Sequence, residues 1–248
     1  MMSETGSSNG YFVSDLHLFS SRSTGDLILP ELRQKARQTH TVVLGGDIFD
    51  FKWSTHESDE KSVEKAIEWI EDLLDQNEGC EYHYILGNHD SRPEFVKELI
   101  ALASRHPNFT WHRYFARLDN CLFLHGDVAD GPLDHARLDS RREKFERKKK
   151  KTGLWHVAYD MAIHARLHRL VVLSIREMVV LRRVKEYVES IGHGLSEGVT
   201  DVYFGHTHVE LDGIQYQGLC FHNGGAAIRG MKFRIVETTL GAPASVRA

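Results

Sequence analysis

The chain has 248 residues, 41% hydrophobic and 27% charged, with only five prolines. That composition argues against a disordered, Pro-rich protein and suits one globular domain or two small ones. Lys plus Arg is 31 against 35 for Asp plus Glu, a formal charge of −4, which disfavours a general nucleic-acid binder. Three scattered cysteines without a CxxC pair suit a reducing compartment, whereas sixteen histidines supply the residue type that binds metals and moves protons near neutral pH.

In chain order, the polar start MMSETGSSNG predicts no secretory signal. Residues 11–14 form a short apolar run, residues 27–38 a helix, and residues 41–44 a β-branched strand ending in Gly45-Gly46. Residues 62–74 carry Val63, Ala66, Ile67, Ile70, Leu73 and Leu74 at helical spacing. Residues 81–86 read as a strand, 93–104 as a helix opened by Pro93, and 120–124 as a further strand. Strands and helices alternating in this way predict an α/β sheet covered by helices. Between residues 130 and 190 the strand signal disappears. Residues 137–151 hold nine basic side chains against three acids, and helical patterns follow over 155–169 and 172–189. Strand patterns return at 199–204, 214–221 and 231–236, before a loose tail over 241–248. The expectation is a single domain over residues 10–240, interrupted by a helical cap insertion over 130–190. No apolar run approaches the ~20 residues that span a bilayer, so the expected location is cytoplasmic, with peripheral contact at the inner face of a membrane as the alternative.

Five polar clusters each directly follow an apolar run. They are Asp15-Leu16-His17, Gly45-Gly46-Asp47-Ile48-Phe49-Asp50, Gly87-Asn88-His89-Asp90, His125-Gly126-Asp127 and Gly205-His206-Thr207-His208. Loops after the carboxyl ends of strands in an α/β sheet converge on one edge, so these groups can meet. A lone Asp-Leu-His carries little information, but imidazoles crowded after five strands exceed what structural turns require. The nitrogen and oxygen donors suit Mn²⁺, Fe²⁺, Co²⁺ or Zn²⁺ and argue against a thiolate zinc site. They are too many for one ion. Asp15, His17, Asp47 and His208 would fill one site; Asp47, Asn88, His125 and His206 would fill a second, with Asp47 expected to bridge ions ~3.5–4 Å apart. A turn at Gly205 is expected to send His206 and His208 to different ions.

This ordered set resembles the calcineurin-like metallophosphoesterase superfamily. The resemblance implies a β-sandwich flanked by helices, two divalent ions with Mn²⁺ favoured, and a hydroxide bridging them as the nucleophile. Within the superfamily the chain is most similar to the UDP-2,3-diacylglucosamine diphosphatase branch, through Asp-Leu-His-Leu, Gly-Asp-x-Phe and the insertion after His-Gly-Asp. It departs from that branch at His89, where the branch carries Arg, and at Ser91-Arg92-Pro93-Glu94, where the branch has a Phe/Leu-rich segment.

His89 is the candidate acid for the leaving group, or the imidazolium that stabilises its charge, with Asp90 orienting it; the alternative is that it is a further metal ligand. Asp50 is expected either to accept a hydrogen bond from a ligand histidine or to cap the next segment. Asp127 is expected to support the site from behind or to stabilise its turn. His222 and Asn223 either line the site's edge or form a turn. In the insertion, Arg137, Arg141 and Arg142 are candidate substrate contacts, and the apolar residues from Trp155 to Val171 are either a wall above the site or helix packing. The partner these features imply is an anionic phosphate-containing small molecule or lipid-linked substrate; the oligomeric state is left open. The activity expected is hydrolysis of a phosphate ester or anhydride, on a nucleotide-linked lipid or sugar diphosphate in its sharper form. The alternatives are a phosphomonoesterase or phosphodiesterase for small substrates, a nuclease, and a non-catalytic interaction protein on the same fold.

Overall fold

The computed structural model describes residues 8–131, 134–146 and 177–241. The helix expected over 155–169, the apolar wall around it, the start of the next helix and residues 147–151 of the basic run lie outside those residues, as does nearly all of the tail.

Two five-stranded sheets form among the described residues. In the first, β1 (Ser8–Val13), β2 (Thr41–Leu44), β3 (Glu81–Ile85) and β4 (Phe109–His112) run parallel, and β10 (Val236–Leu240) closes the edge antiparallel to β1. In the second, β6 (Cys121–Leu124), β7 (Asp201–Phe204) and β9 (Leu219–Gly224) run parallel, flanked by antiparallel β5 (Phe115–Leu118) and β8 (Glu210–Tyr216). Side chains alternate across each strand, and here both faces are buried. Phe12, Val43 and Ile85 of the first sheet meet Cys121, Phe123 and Tyr203 of the second in the core between the sheets, where the Phe123 and Tyr203 rings stack at 4.8 Å. Their neighbours Val13, Val42, Leu44, Tyr82 and Tyr84 face outward beneath α1 (Leu29–Ala36), α2 (Asp59–Leu74) and α3 (Pro93–Arg105). Leu122, Leu124, Val202 and Phe204 face α4 (His135–Glu146) and α5 (Glu177–Ser190) in the same way. The architecture is a β-sandwich flanked by helices, with a helical insertion between β6 and β7.

Local chemistry sets the element ends. Ser58 accepts the Lys61 amide at 3.1 Å and opens α2, the N-cap role its hydroxyl suits. Residues 214–221, expected as one strand, are a hairpin. Gln217 and Gly218 both take positive φ, 48° and 88°, the pair of left-handed residues a tight two-residue hairpin turn requires. The last strand lies at β10 rather than over 231–236, because its backbone pairs with β1 from Phe12↔Val236 to Ser8↔Leu240. Among the described residues no helix is long and apolar enough to cross a membrane.

Candidate metal centre

All five polar clusters emerge from the carboxyl ends of the parallel strands β1, β2, β3, β6 and β7. Asp15, His17, Asp47, His206 and His208 take positive φ, between 48° and 63°. This left-handed region costs a residue with a side chain about 1 kcal/mol or more, and Asp and His are among those that tolerate it best. Strain concentrated on five candidate ligands is the mark of loops shaped for the site. The turn expected at Gly205 is made by the histidines on either side of Thr207. Gly205 is needed for close approach: a Cβ there would lie 2.1 Å from Asp15 Oδ2.

The side chains form groups that share members. Asp15, His17 and His208 bring ligand atoms within 4.8 Å of one another, as do His17, Asp47 and His89, and Asp47, His125 and His206. That span fits ions with bonds of ~2.1 Å. His17 Nε2 lies 3.1 Å from His208 Nε2, and His208 Nε2 lies 3.3 Å from Asp15 Oδ1. On the other side His125 Nε2 lies 3.4 Å from Asp47 Oδ2 and 3.1 Å from Asn88 Oδ1. Asp47 thus stands between an Asp15/His17/His208 group and an Asn88/His125/His206 group. His206 and His208 face different groups.

The electrostatics call for positive charge. Burial opposes ionisation of Asp47, yet His125 and His89 beside it hold its carboxyl well below the usual range. Burial also opposes charge on His125, but Asp47 outweighs it and raises the imidazole to about 10. His17 goes the other way, down to about 4, through burial and the Arg22 guanidinium, and a neutral imidazole is the form that ligates a metal. A divalent cation would satisfy the buried carboxylates that otherwise hold a proton on His125. Imidazole, carboxylate and carboxamide donors without sulfur fit a pair of such ions.

Behind these groups, Asp50 caps the turn that follows it and holds the candidate acid His89 through a hydrogen bond, while the candidate ligand His17 lies beyond hydrogen-bond distance. Its Oδ1 meets His89 Nδ1 at 2.9 Å and accepts the Trp53 amide at 3.1 Å. Its Oδ2 accepts from Arg22 at 3.0 Å and lies 3.6 Å from His17 Nδ1. Arg22, also 3.3 Å from His17 Nδ1, carried no motif signal. Asp90 does not orient His89. The loop after β3 turns its carboxylate inward, where it accepts from Tyr84 OH at 2.6 Å, the Gly87 amide at 2.7 Å and the Ile48 amide at 2.9 Å. Burial and the Asp47 charge push Asp90 up to about 6; it braces two ligand-bearing loops.

A cleft of about 420 Å³ opens beside the centre, lined by Asn88, His89, Asp130, Arg141, Lys144, Phe145 and His206 among others. Of the three arginines considered as substrate contacts, only Arg141 turns an exposed guanidinium to this cleft, paired with Asp130 at 2.9 Å. Arg142 is buried in a two-bond pair with Asp127, at 2.8 and 3.0 Å, and its guanidinium is committed there. Arg137 lies one turn back along α4 against Asp134, away from the cleft. Asp130, 3.1 Å from His206 Nε2, went unread because it sits past the His-Gly-Asp motif at the end of a short 3-10 helix. Asn223 donates to Gly205 O at 3.0 Å and braces the His206–His208 loop from beneath, while His222 faces Asp201 instead. A larger groove of about 660 Å³ between α2 and α3 lies away from the centre, and its seven carboxylates against two cations would repel a phosphate.

A family model described as "Calcineurin-like phosphoesterase" matches residues 11–210. Among solved structures, the chain is similar to a dimetal phosphatase from Danio rerio, with 15% identity over 94% of this chain and 96% of that one, at a TM-score of 0.47. No curated protein matches the chain.

Proposed function

The chain belongs to the calcineurin-like phosphoesterase family, and from that premise we propose that it hydrolyses a phosphate ester or anhydride at the centre around Asp47. Its finer substrate, on this reading, is a nucleotide-linked lipid or sugar diphosphate, as in the UDP-2,3-diacylglucosamine diphosphatase branch. The observation that carries the reading is the placement of two ligand groups around one carboxylate, beside a cleft with Arg141 and Lys144 on its wall.

Asp15, His17, Asp47 and His208 would hold one ion, and Asp47, Asn88, His125 and His206 the other; Mn²⁺ is the favoured metal. Such a pair supplies Lewis acidity at phosphorus and lowers the pKa of water. Asp50 fixes the His89 ring through Nδ1 and favours its protonated form, so His89 donates a proton to the leaving oxygen or stabilises its charge. Phe145 packs on His89 with centroids 4.6 Å apart and lines the same cleft. Arg141 and Lys144 attract the anionic substrate, and the second phosphate of a diphosphate would lie along this wall. The reading carries with it a cytoplasmic location, with peripheral contact at the inner face of a membrane as the alternative, and no nucleic-acid partner.

The test is hydrolysis by chelator-treated protein reconstituted with Mn²⁺, on an aryl monoester, an aryl diester, a UDP-sugar and an acylated UDP-sugar side by side. The expected result is strong preference for the acylated diphosphate. Preference for the simple esters would overturn the finer substrate and favour a small-substrate phosphoesterase; inactivity on all four with two ions bound would overturn hydrolysis of these classes.

A further inference from the structure

A second convergence of ligand-type side chains lies at the other end of the second sheet. The catalytic loops follow the carboxyl end of β7; Asp201 is that strand's first residue. Cys220 and His222 alternate with Phe221 on β9, so both point to the face that Phe221 does not. Register brings Asp201 opposite Cys220 and Tyr203 opposite His222. All three side chains are buried, and their ligand atoms lie within 4.8 Å of one another. His222 Nε2 is 2.9 Å from Asp201 Oδ1, a spacing like that of His208 and Asp15 in the main centre, 3.3 Å.

We propose that Asp201, Cys220 and His222 form a separate metal site, one that takes a zinc-class divalent ion through sulfur, nitrogen and oxygen. The donor set separates it from the Asp/His centre. A thiolate selects Zn²⁺ or Co²⁺ over Mn²⁺, and a carboxylate with a thiolate neutralises a dication. The surroundings hold the ligands in place. Thr200 Oγ1 donates to Asp201 Oδ2 at 2.8 Å and Asn120 Nδ2 reaches the same atom at 3.4 Å, which leaves Oδ1 turned to His222. Outer contacts of this kind orient metal ligands. The His222 ring stacks on Tyr203 at 4.5 Å with 11° between planes.

Beside the cluster, β8 is irregular between Leu211 and Ile214. There Gly213, at φ 66°, brings bare backbone over the pair; a Cβ on it would lie 3.7 Å from Cys220 Sγ and 3.8 Å from His222 Cε1. Bulges recur beside functional sites, where they re-aim a strand. Three protein ligands with a water completing the tetrahedron is a common zinc arrangement. Binding would release the thiol proton and clip β7 to β9.

The experiment titrates Co²⁺ into chelator-treated full-length protein after the Asp/His centre has been filled with Mn²⁺. The expected result is an intense near-ultraviolet thiolate-to-cobalt band, saturating at one equivalent. The main centre has no sulfur ligand and cannot produce it. Cys220→Ser should abolish the band, and Asp201→Asn, which keeps the thiol, should weaken cobalt binding by ~10-fold or more. Circular dichroism checks that each variant keeps the wild-type fold. A wild-type protein without the band, or a band that survives Cys220→Ser, would overturn the site whatever the substrate of the main centre.

Discussion

His89 joins three neighbours of different kinds. Its ring meets the buried Asp50 carboxylate at 2.9 Å, packs edge-on to His17 at 4.9 Å between centroids, and lies under Phe145. Burial opposes charge on this imidazole, but Asp50 and Asp47 overcome it and raise its pKa. His89→Asn should therefore lower turnover by roughly 10²–10⁴-fold, the usual reach of acid catalysis, while metal content measured by elemental analysis stays unchanged. Loss of metal in step with activity would make His89 a ligand instead. Sequence adjacency suggested Asp90 as its partner, but the partner lies 39 residues away on another loop. The arginines divide in the same way. Arg142→Ala strands the buried Asp127 carboxylate and should cost about 3–5 kcal/mol in urea unfolding. Arg141→Ala should leave stability within about 0.5 kcal/mol and raise KM for an anionic substrate. Equal unfolding midpoints for the two variants would contradict this division. Spacing along the basic helix cannot separate Arg141 from Arg142; the buried face of α4 does.

At the scale of elements, β3 and β4 carry a pH-sensitive pair. His83 Nδ1 faces His112 Nε2 at 3.1 Å, and burial with the His83 charge pushes His112 down to about 4. Unfolded, it titrates near ~6.5. Between those values the unfolded chain binds the proton and the folded chain does not, so stability falls as pH drops from ~6.5 toward ~4. Allowing for partial solvent screening, the loss should be roughly 1–2 kcal/mol. Urea unfolding of chelator-treated protein at pH 7 and pH 5 should show a drop that His112→Phe reduces; identical drops in both proteins would contradict the assignment. This contact was not legible beforehand, because β4 and β5 themselves were not. Phe-Thr-Trp-His and Phe-Ala-Arg-Leu are four residues long, separated only by Arg113 and Tyr114, and belong to different sheets. By contrast, Thr41–Leu44 and the helical spacing of α2 were readable because burial is complete on the strand and confined to one stripe of the helix.

For the whole molecule, two sheets direct five strand ends at one point. The order Asp-Leu-His, Gly-Gly-Asp, Gly-Asn-His-Asp, His-Gly-Asp, Gly-His-Thr-His made this convergence of candidate ligands legible, because each motif follows a strand and strand ends in such sheets converge. The second sheet was legible only through the family resemblance. Strands buried on both faces give the same continuous apolar runs whether helices or another sheet cover them, so Cys121–Leu124 and Asp201–Phe204 read equally well as members of a single sheet. On the proposed function, Asp47 would join two ions in one centre. Electron paramagnetic resonance of the protein loaded with two equivalents of Mn²⁺ tests it most directly. The account predicts the multiline spectrum of an exchange-coupled pair, lost in Asp47→Ala; uncoupled single-ion spectra at full loading would contradict it.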